Sequence, residues 1–517
     1  MPYTVRKRPA EEVIMADDLA PAPLTHTNVV ATTNGPVRGY REVDLDVFKG
    51  LRYGAPPLNI SRFRPPARPT AWTDPADAVA YGAPAIQSGL APGERRSSPA
   101  DPPAPDEPAS SEDCLFLNVW TPGLDQNKRP VMVWLHGGGF ASGSGGAAMY
   151  DGGALARKGD VVIVTLNHRL NVFGYLHLGE VFGPDYAQSG ISGMLDIVQA
   201  LDWVGDNIAA FGGDPENVTI FGESGGGWKV SLLLAMPAAR GLFHKAIIQS
   251  GPGLTGKRVA DADKIARQLM ADLKVDTPAK LAALSAEAIS HASVKLPGEV
   301  MRLYAPVVDG IALPRDPFEP DASPLNADIP ILIGTNKDES TLFMLGHPKF
   351  GAFEEDDLAK HAKALAGDKA EPLVAALRAA YPDYNPTHLA AAVGTTTGMW
   401  GGSLKLAEAK AAQRSAPVWM YMLTWETPVA KGRLRCPHAL EIPLVFNNVE
   451  KARSFVGRGD QPQVVADQMS DAWLAFAKSG SPGWPAYDET RRTTKMFDMQ
   501  SHLVNDPLAG VRQVLQN

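Results

Sequence analysis

Cysteine is scarce in this chain, which has two, Cys114 and Cys436, among 517 residues. So few cysteines cannot build a disulfide framework, and the small disulfide-stapled protein classes are excluded. A reducing compartment is compatible with both thiols staying free. A bridge between the two stays open as an alternative, since a sequence does not say whether two Cα atoms lie within bridging distance.

Long apolar runs and blocks of one charge sign are also missing. No segment approaches the ~20 apolar residues of a membrane-spanning helix, and the N-terminal region lacks the apolar stretch of a leader. The formal net charge of −8 is spread along the chain, which argues against a nucleic-acid surface. We therefore expect a soluble cytoplasmic protein, or a secreted one if a leader has been removed, that binds neither membrane nor nucleic acid.

What the chain does contain is an ordinary globular composition, with 44% hydrophobic and 21% charged residues. No composition break is long enough to separate two independent halves, although the chain is longer than the usual single domain. We predict a poorly ordered tail over residues 1–27 and one large domain over residues 28–517. The sequence is compatible with a monomer or a homodimer.

Strand-like and helical segments alternate along the domain, which predicts an α/β fold with a mostly parallel sheet covered by helices on both faces. Residues 28–53 predict an antiparallel hairpin at a sheet edge. The Pro-rich and Ser-rich segment 87–111 predicts a long surface loop. Helical insertions are expected at about 255–325 and 350–415, over the site. The apolar runs of strand length are residues 131–135, 161–166, 218–221, 246–249, 329–333 and 418–423.

One serine lies inside a Gly-x-Ser-x-Gly motif, Gly222 to Gly226, directly after a β-branched apolar run. This is the nucleophile elbow pattern, in which glycines two before and two after the serine permit a sharp strand-to-helix turn. Ser224 is therefore the candidate nucleophile. The backbone N–H of Gly225, at the start of the following helix, is a candidate donor to a developing oxyanion.

A second motif, His136-Gly137-Gly138-Gly139, follows the apolar run 131–135. Consecutive glycines allow backbone N–H groups to approach an oxygen without side-chain obstruction, as in the His-Gly-Gly-Gly loop of lipases and esterases. We assign the N–H groups of Gly138 and Gly139, together with that of Gly225, to an oxyanion hole. His136 is expected to order this loop rather than transfer protons.

The chain order nucleophile, acid, histidine requires a carboxylate after a later strand and a histidine beyond it. Asp338 and Glu339 both follow the apolar run 329–333, at the strand end where open α/β sheets place their sites. Residue chemistry alone leaves the choice between them open. His438 lies in a loop after the run 418–423 and is the candidate general base.

Taken together, these motifs resemble the type-B carboxylesterase and lipase family, the cholinesterase-like branch of the α/β-hydrolases, over nearly the whole chain. The resemblance implies a carboxylesterase with Ser224 as nucleophile, His438 as general base and acid, and Glu339 as the triad acid. It also implies an Arg62–Glu112 ion pair. The further motifs similar to the family's, in family order, are residues 48–53, 111–119, 211–215, 334–339 and 473–477.

Several residues depart from that family pattern. Gly225 stands where alanine is usual, and Trp228 and Lys229 stand where small residues are usual. The two larger residues either reshape the floor behind the serine or serve the structure, with Lys229 paired to a buried carboxylate. Cys114 has no upstream partner of the kind relatives often have. The basic stretch Lys431, Arg433 and Arg435 either selects anionic substrates or forms a solvated loop; the sequence does not decide which.

The expected reaction is hydrolysis of a small-molecule carboxylic ester through an acyl-enzyme intermediate, with no metal or organic cofactor. Activity is expected to fall as the pH drops through the pKa of His438, because a protonated imidazole cannot act as base. The alternative is a triacylglycerol lipase acting at an oil interface, for which segment 87–111 is a poor lid because it is polar. A non-catalytic binding or adhesion relative is disfavoured, since Ser224, Glu339 and His438 are all present.

Overall fold

An eleven-stranded sheet lies at the centre of the computed structural model, which describes residues 24–88, 104–298 and 300–516. Residues 1–23 of the predicted tail and the middle of the predicted loop 87–111 lie outside the described residues. The strands are β1 Val30–Thr32, β2 Gly35–Arg38, β3 Tyr40–Glu42, β4 Leu45–Arg52, β5 Ala76–Asp77, β6 Phe116–Thr121, β7 Arg129–Leu135, β8 Val162–Leu166, β9 Gly213–Glu223, β10 Lys245–Gln249, β11 Lys257–Arg258, β12 Val307–Val308, β13 Ile331–Asn336, β14 Val418–Leu423, β15 Thr493–Phe497 and β16 His502–Asn505.

Helices pack against both faces of this sheet, with α4 and α5 on one face and the long α17 on the other. The helices are α1 Gly153–Gly159, α2 Asn171–Tyr175, α3 Gly179–Phe182, α4 Ser192–Asn207, α5 Gly225–Leu233, α6 Val259–Leu273, α7 Pro278–Ala283, α8 Ala286–Ser293, α9 Val300–Leu303, α10 Ser340–Met344, α11 Glu355–Ala366, α12 Ala370–Ala380, α13 Pro386–Thr395, α14 Gly401–Gln413, α15 Glu441–Val445, α16 Arg453–Val456, α17 Gln461–Ser479 and α18 Ala509–Gln516.

Seven adjacent strands of the large sheet run parallel, in the order β15-β14-β13-β10-β9-β7-β8. Antiparallel strands extend both edges, β16 on one side and β6-β4-β3 on the other. The predicted α/β class with a mostly parallel sheet is confirmed. Residues 28–53 form two hairpins: β3-β4 lies at the edge of the large sheet, whereas β1-β2 belongs to a separate small sheet in which β2 also pairs with β5.

Alternate residues of β7 show why the sequence reads as an unbroken apolar run. Val131 and Val133 pack into the core on one face of the sheet, and Met132 and Trp134 pack into the core on the other. All four side chains are buried. A parallel strand covered by helices on both faces has no solvent face, so its sequence shows no polar alternation.

The two cysteines do not form a bridge, since both are buried and free. The Cys436 thiol donates to the carbonyl of Leu423 at the end of β14. Burial raises the pKa of both thiols, so they stay protonated at neutral pH.

The ion pair implied by the resemblance is present. Arg62 Nη2 donates to Glu112 Oε2 at 3.0 Å, and Arg62 Nε donates to Glu112 Oε1. The guanidinium also donates to the carbonyls of Leu281 and Leu284, at the end of α7. Arg62 is 4% exposed. The pair therefore ties an N-terminal segment to the segment before β6 and to the first helical insertion.

Replacing Arg62 by alanine is expected to destabilise the protein by about 3 kcal/mol, because it leaves a largely buried carboxylate and two carbonyls without their partner. Urea unfolding at pH 7 measures the change. The matched control is Arg68→Ala, since Arg68 pairs with Asp202 and Asp206 at the surface and its side chain is 58% exposed; its cost is expected below about 1 kcal/mol. Equal costs for the two variants would contradict this account.

Candidate active site

The candidate nucleophile occupies the sharp turn between β9 and α5. Ser224 has φ 56° and ψ −122°, a conformation that side-chain-bearing residues rarely adopt. Its N–H donates to the carbonyl of Gln249 at the end of β10, at 2.8 Å. A Cβ on Gly226 would lie 1.9 Å from the carbonyl oxygen of Leu135, and one on Gly222 would lie 2.6 Å from the backbone of Gly226. The flanking glycines are thus required because the turn packs directly on the end of β7.

The predicted oxyanion loop lies against this turn. Gly138 and Gly139 have φ values of 78° and 62°, and their N–H groups make no hydrogen bond within the described residues. A Cβ on Gly225 would lie 2.3 Å from the carbonyl oxygen of Gly139 and 2.5 Å from its nitrogen. The structure thereby brings the three predicted donors together beside Ser224.

The candidate acid and base meet across the ends of two further strands. His438 Nδ1 lies 2.6 Å from Glu339 Oε2, and both side chains are buried. The other oxygen, Oε1, accepts from Ser250 Oγ at 2.6 Å and from the Asn336 N–H at 2.7 Å. Both oxygens of Glu339 are thus held in place, which fixes the orientation of the imidazole.

Asp338 points away from the imidazole, although it is adjacent to Glu339 in sequence. Its Oδ1 accepts from Tyr384 Oη at 2.5 Å, and its Oδ2 accepts from the Cys436 N–H at 3.2 Å. Burial raises its pKa to about 6. Asp338 therefore braces the loop that carries His438, whereas Glu339 contacts the ring.

The second ring nitrogen of His438 faces a carboxylate that the sequence analysis missed. Nε2 lies 3.0 Å from Glu223 Oε1, whereas no hydrogen bond joins Ser224 Oγ to His438 among the described residues. Glu223 is 2% exposed. A signal was available, because Glu223 is the residue directly before the serine in the elbow motif and a strand end directs neighbouring side chains to the same edge.

Two carboxylates around one ring control its charge. Burial lowers the pKa of His438, but the charges of Glu223 and Glu339 outweigh it and raise the pKa well above the usual value. Burial also raises the pKa of Glu223. A third carboxylate, Glu441, has a pKa raised by burial and by the two other glutamates to about 8, and it accepts from Asn336 Nδ2 at 2.5 Å.

A cavity of ≈ 970 Å³ contains both Ser224 and His438 in its wall. Gln87, Glu107 and Ser110 also line it, so the described ends of the predicted surface loop border the site. The π-helical turn Thr396–Trp400 supplies part of the opposite wall. The aromatic side chains on the wall are Phe140, Tyr150, Trp228 and Phe343.

The unusual residues after the elbow have distinct roles. Trp228 lines the cavity, and its Nε1 donates to the carbonyl of Thr255 at 3.3 Å. Pairing of Lys229 with a carboxylate is wrong: its Nζ donates to the backbone carbonyls of His136 and Gly139, each at 2.9 Å. Carbonyl oxygens are invisible in a sequence, which is why residue types suggested an acidic partner instead.

The basic stretch before His438 does not reach the cavity wall in the described structure. Arg435 pairs with Glu426 at 3.0 Å and with Asp383 at 3.3 Å, and its guanidinium lies 4.3 Å from the centre of the Tyr384 ring. This arginine thus supports the loop that carries His438, and selection of anionic substrates by the stretch finds no support.

Comparisons with known proteins show what the whole chain is similar to. The model of the "Carboxylesterase family" matches residues 26–508. The para-nitrobenzyl esterase of Bacillus subtilis (strain 168) is 37% identical over 505 residues, covering 95% of this chain and 99% of the relative. The phenmedipham hydrolase of Pseudarthrobacter oxydans is 34% identical over 483 residues, covering 89% and 92%. A carboxylesterase structure from Geobacillus stearothermophilus superposes with a TM-score of 0.82 at 38% identity, covering 94% of this chain and 100% of that one.

Replacing Glu223 by glutamine is expected to lower the pKa of His438, because it removes one of the two negative charges that stabilise the imidazolium. Proton affinity should fall by a factor of about ten or more, as for other charge partners within ~4–6 Å. Nuclear magnetic resonance titration of the imidazole measures it, with His438→Gln to assign the signal. Glu319→Gln is the control, since Glu319 lines the same cavity without contacting the ring. An unchanged pKa in Glu223→Gln would contradict the electrostatic account.

Proposed function

This chain belongs to the carboxylesterase family and is a serine carboxylic-ester hydrolase, and from that premise we propose that Ser224, His438 and Glu339 are its catalytic triad. The observation that carries the proposal is the common cavity of Ser224 and His438, with Glu339 2.6 Å from the far ring nitrogen. The same edge of the sheet also holds unused backbone donors. These are the parts that acyl transfer requires.

In the first half of the reaction, Ser224 Oγ attacks the ester carbonyl carbon while His438 Nε2 accepts the hydroxyl proton. Glu339 keeps the proton on Nδ1 and stabilises the imidazolium that forms. The protonated ring then donates to the leaving alcohol oxygen as the carbon–oxygen bond breaks. An acyl group remains on Ser224. In the second half of the reaction, water attacks the acyl carbon while His438 accepts a proton from it, and the ring then donates that proton to Ser224 Oγ as the acyl group leaves.

The contact between His438 Nε2 and Glu223 is favourable when the imidazole ring is protonated. An imidazolium attracts the Glu223 carboxylate, whose Oε1 lies 3.0 Å from Nε2. A neutral ring with its proton on Nδ1 has a lone pair on Nε2, which no longer attracts Glu223 and can accept the proton of Ser224. Active enzyme therefore requires loss of the proton, and the raised pKa of His438 moves the acidic limb of kcat/KM above the usual histidine range.

Negative charge on the carbonyl oxygen is stabilised by the N–H groups of Gly138, Gly139 and Gly225. Two of these have no competing acceptor within the described residues, and the third begins α5, where the helix dipole adds to the donor. Donors fixed before the reaction contribute most in a site that excludes water.

The size of the cavity supports bulky esters as the substrate class. Its size is at the upper end of the range for small-molecule sites, ~300–1,000 Å³, and aromatic side chains form much of the wall near the serine. Two relatives are named for para-nitrobenzyl esters and for phenmedipham. An interfacial lipase is not favoured, since the relatives reported above are named esterases and hydrolases.

Hydrolysis of p-nitrophenyl esters from acetate to palmitate is expected in the wild type and is expected to vanish in Ser224→Ala, because the variant lacks the attacking oxygen. Steady-state absorbance at pH 8 measures it. A maximum at short soluble chains supports the carboxylesterase, and faster turnover of emulsified long-chain triglyceride would favour the lipase instead. Equal rates for wild type and Ser224→Ala would refute the nucleophile assignment.

The neighbouring carboxylates Asp338 and Glu339 provide a matched pair of variants. Glu339→Gln is expected to lower kcat by about 10⁴-fold, because the amide favours the wrong imidazole tautomer. Asp338→Asn keeps the acceptor to Tyr384 and is expected to change kcat by less than about tenfold, while lowering thermal stability. Comparison of kcat and of melting temperature for the two variants tests the assignment, and the reverse order of kcat losses would overturn it.

A further inference from the structure

Lys229 lies one turn beyond the nucleophile on α5 and is fully buried. Its Nζ donates to the carbonyl oxygens of His136 and Gly139, which begin and end the glycine loop, at 2.9 Å each. One ammonium group therefore joins both ends of the loop to the helix that starts at the nucleophile. A lysine in so dry a place costs free energy, so its presence calls for a role.

The inner carbonyls of the same loop are also occupied. Gly137 O lies 3.0 Å from His136 Nδ1, and Gly138 O accepts from the N–H groups of Ala141 and Ser142 at 3.2 Å. Because a peptide unit is planar, fixing its carbonyl also fixes the direction of its N–H. These carbonyl contacts thus fix the directions of the N–H groups of Gly138 and Gly139, which make no hydrogen bond within the described residues.

The loop also sits unusually close to α5. The atoms of Gly139 lie where the Cβ of an alanine at position 225 would be, at 2.3 to 2.5 Å. Contacts this short with backbone force a shift, so Gly225 and the present loop position require each other. Both departures from the family pattern, Gly225 and Lys229, therefore contact the same residue, Gly139.

Lys229 has no direct carboxylate partner among the described residues. Burial lowers its pKa to about 7, and Glu223 opposes that effect. The stacked rings of His136 and His168 are neutral, because burial and the nearby Lys229 lower the pKa of both. The Nζ atom also lies 5.5 Å from the centre of the Phe140 ring, a favourable cation–π distance.

We propose that Lys229 is a positioning residue for ester hydrolysis: by holding the carbonyls of His136 and Gly139, it fixes the two peptide units that flank the donor peptides, and so holds in place the loop that presents the N–H groups of Gly138 and Gly139 to the oxyanion. The proposal rests on the function proposed above. Lys229 touches neither substrate nor the reacting atoms in this arrangement. Its contribution is confined to the transition state, where the oxygen is charged.

The test compares Lys229→Met, which keeps the length of the side chain, with Lys229→Ser, which introduces the smaller residue usual in relatives. Both are expected to lower kcat for p-nitrophenyl butyrate by about 100-fold, the effect of misplacing a catalytic group by ~1 Å, with KM within threefold. Affinity for a trifluoromethyl ketone should fall in parallel, because its hemiketal oxyanion occupies the same donors. Affinity for the matching unreactive methyl ketone should not change.

Lys410→Met is the matched control. Lys410 is also a buried lysine that donates to a backbone carbonyl, that of Ala327 at 2.6 Å, but it does not line the described cavity. We expect it to lower the melting temperature and leave kcat unchanged. A folded Lys229 variant with kcat within twofold of the wild type overturns the inference. A kcat loss without loss of ketone affinity overturns it too, and so does failure of both variants to fold, since Lys229 would then serve folding alone.

The outcome is distinguishable from failure of the proposed function. If the wild type hydrolyses no ester, or hydrolyses it equally well as Ser224→Ala, the triad assignment is wrong. If the wild type and Lys410→Met are active and the Lys229 variants are equally active, only the role of Lys229 is wrong.

Discussion

The close packing of the turn at Ser224 on the end of β7 is the constraint on which the rest of the site depends. No side chain fits between them, because a Cβ on Gly226 would lie only 1.9 Å from the carbonyl oxygen of Leu135. The same approach brings the loop after β7 onto the first turn of α5. Nucleophile, backbone donors and the buried lysine thus follow from one contact between two neighbouring strands, and glycine is the residue that permits it.

The charged side chains around His438 are the second constraint on the site. Two buried glutamates, Glu223 and Glu339, contact one imidazole and raise its pKa, and a third buried glutamate, Glu441, is near them. Burial raises the pKa of Glu223, and burial together with the charges of the two other glutamates raises the pKa of Glu441. The buried Lys229 lies behind the turn, and its Nζ holds the glycine loop.

The sheet and the elbow were predictable because their signals are local. Strands buried on both faces appear in the sequence as apolar runs, and a turn without room for Cβ atoms appears as glycines. The choice between Asp338 and Glu339 was not predictable from residue chemistry, because it depends on which one faces His438, 99 residues beyond Glu339. The partners of Lys229 were missed for a different reason: backbone carbonyls are present at every position and leave no mark in a sequence. Glu223 was predictable from its place beside Ser224.

The most direct test of the central claim is the identification of the acylated residue. Wild-type protein is mixed with p-nitrophenyl acetate in excess, quenched with acid within the first turnover, digested and mapped by mass spectrometry. The account predicts one acetyl group per chain, on Ser224. An acetyl group on another residue, or a burst of p-nitrophenol with no covalent adduct, would contradict it.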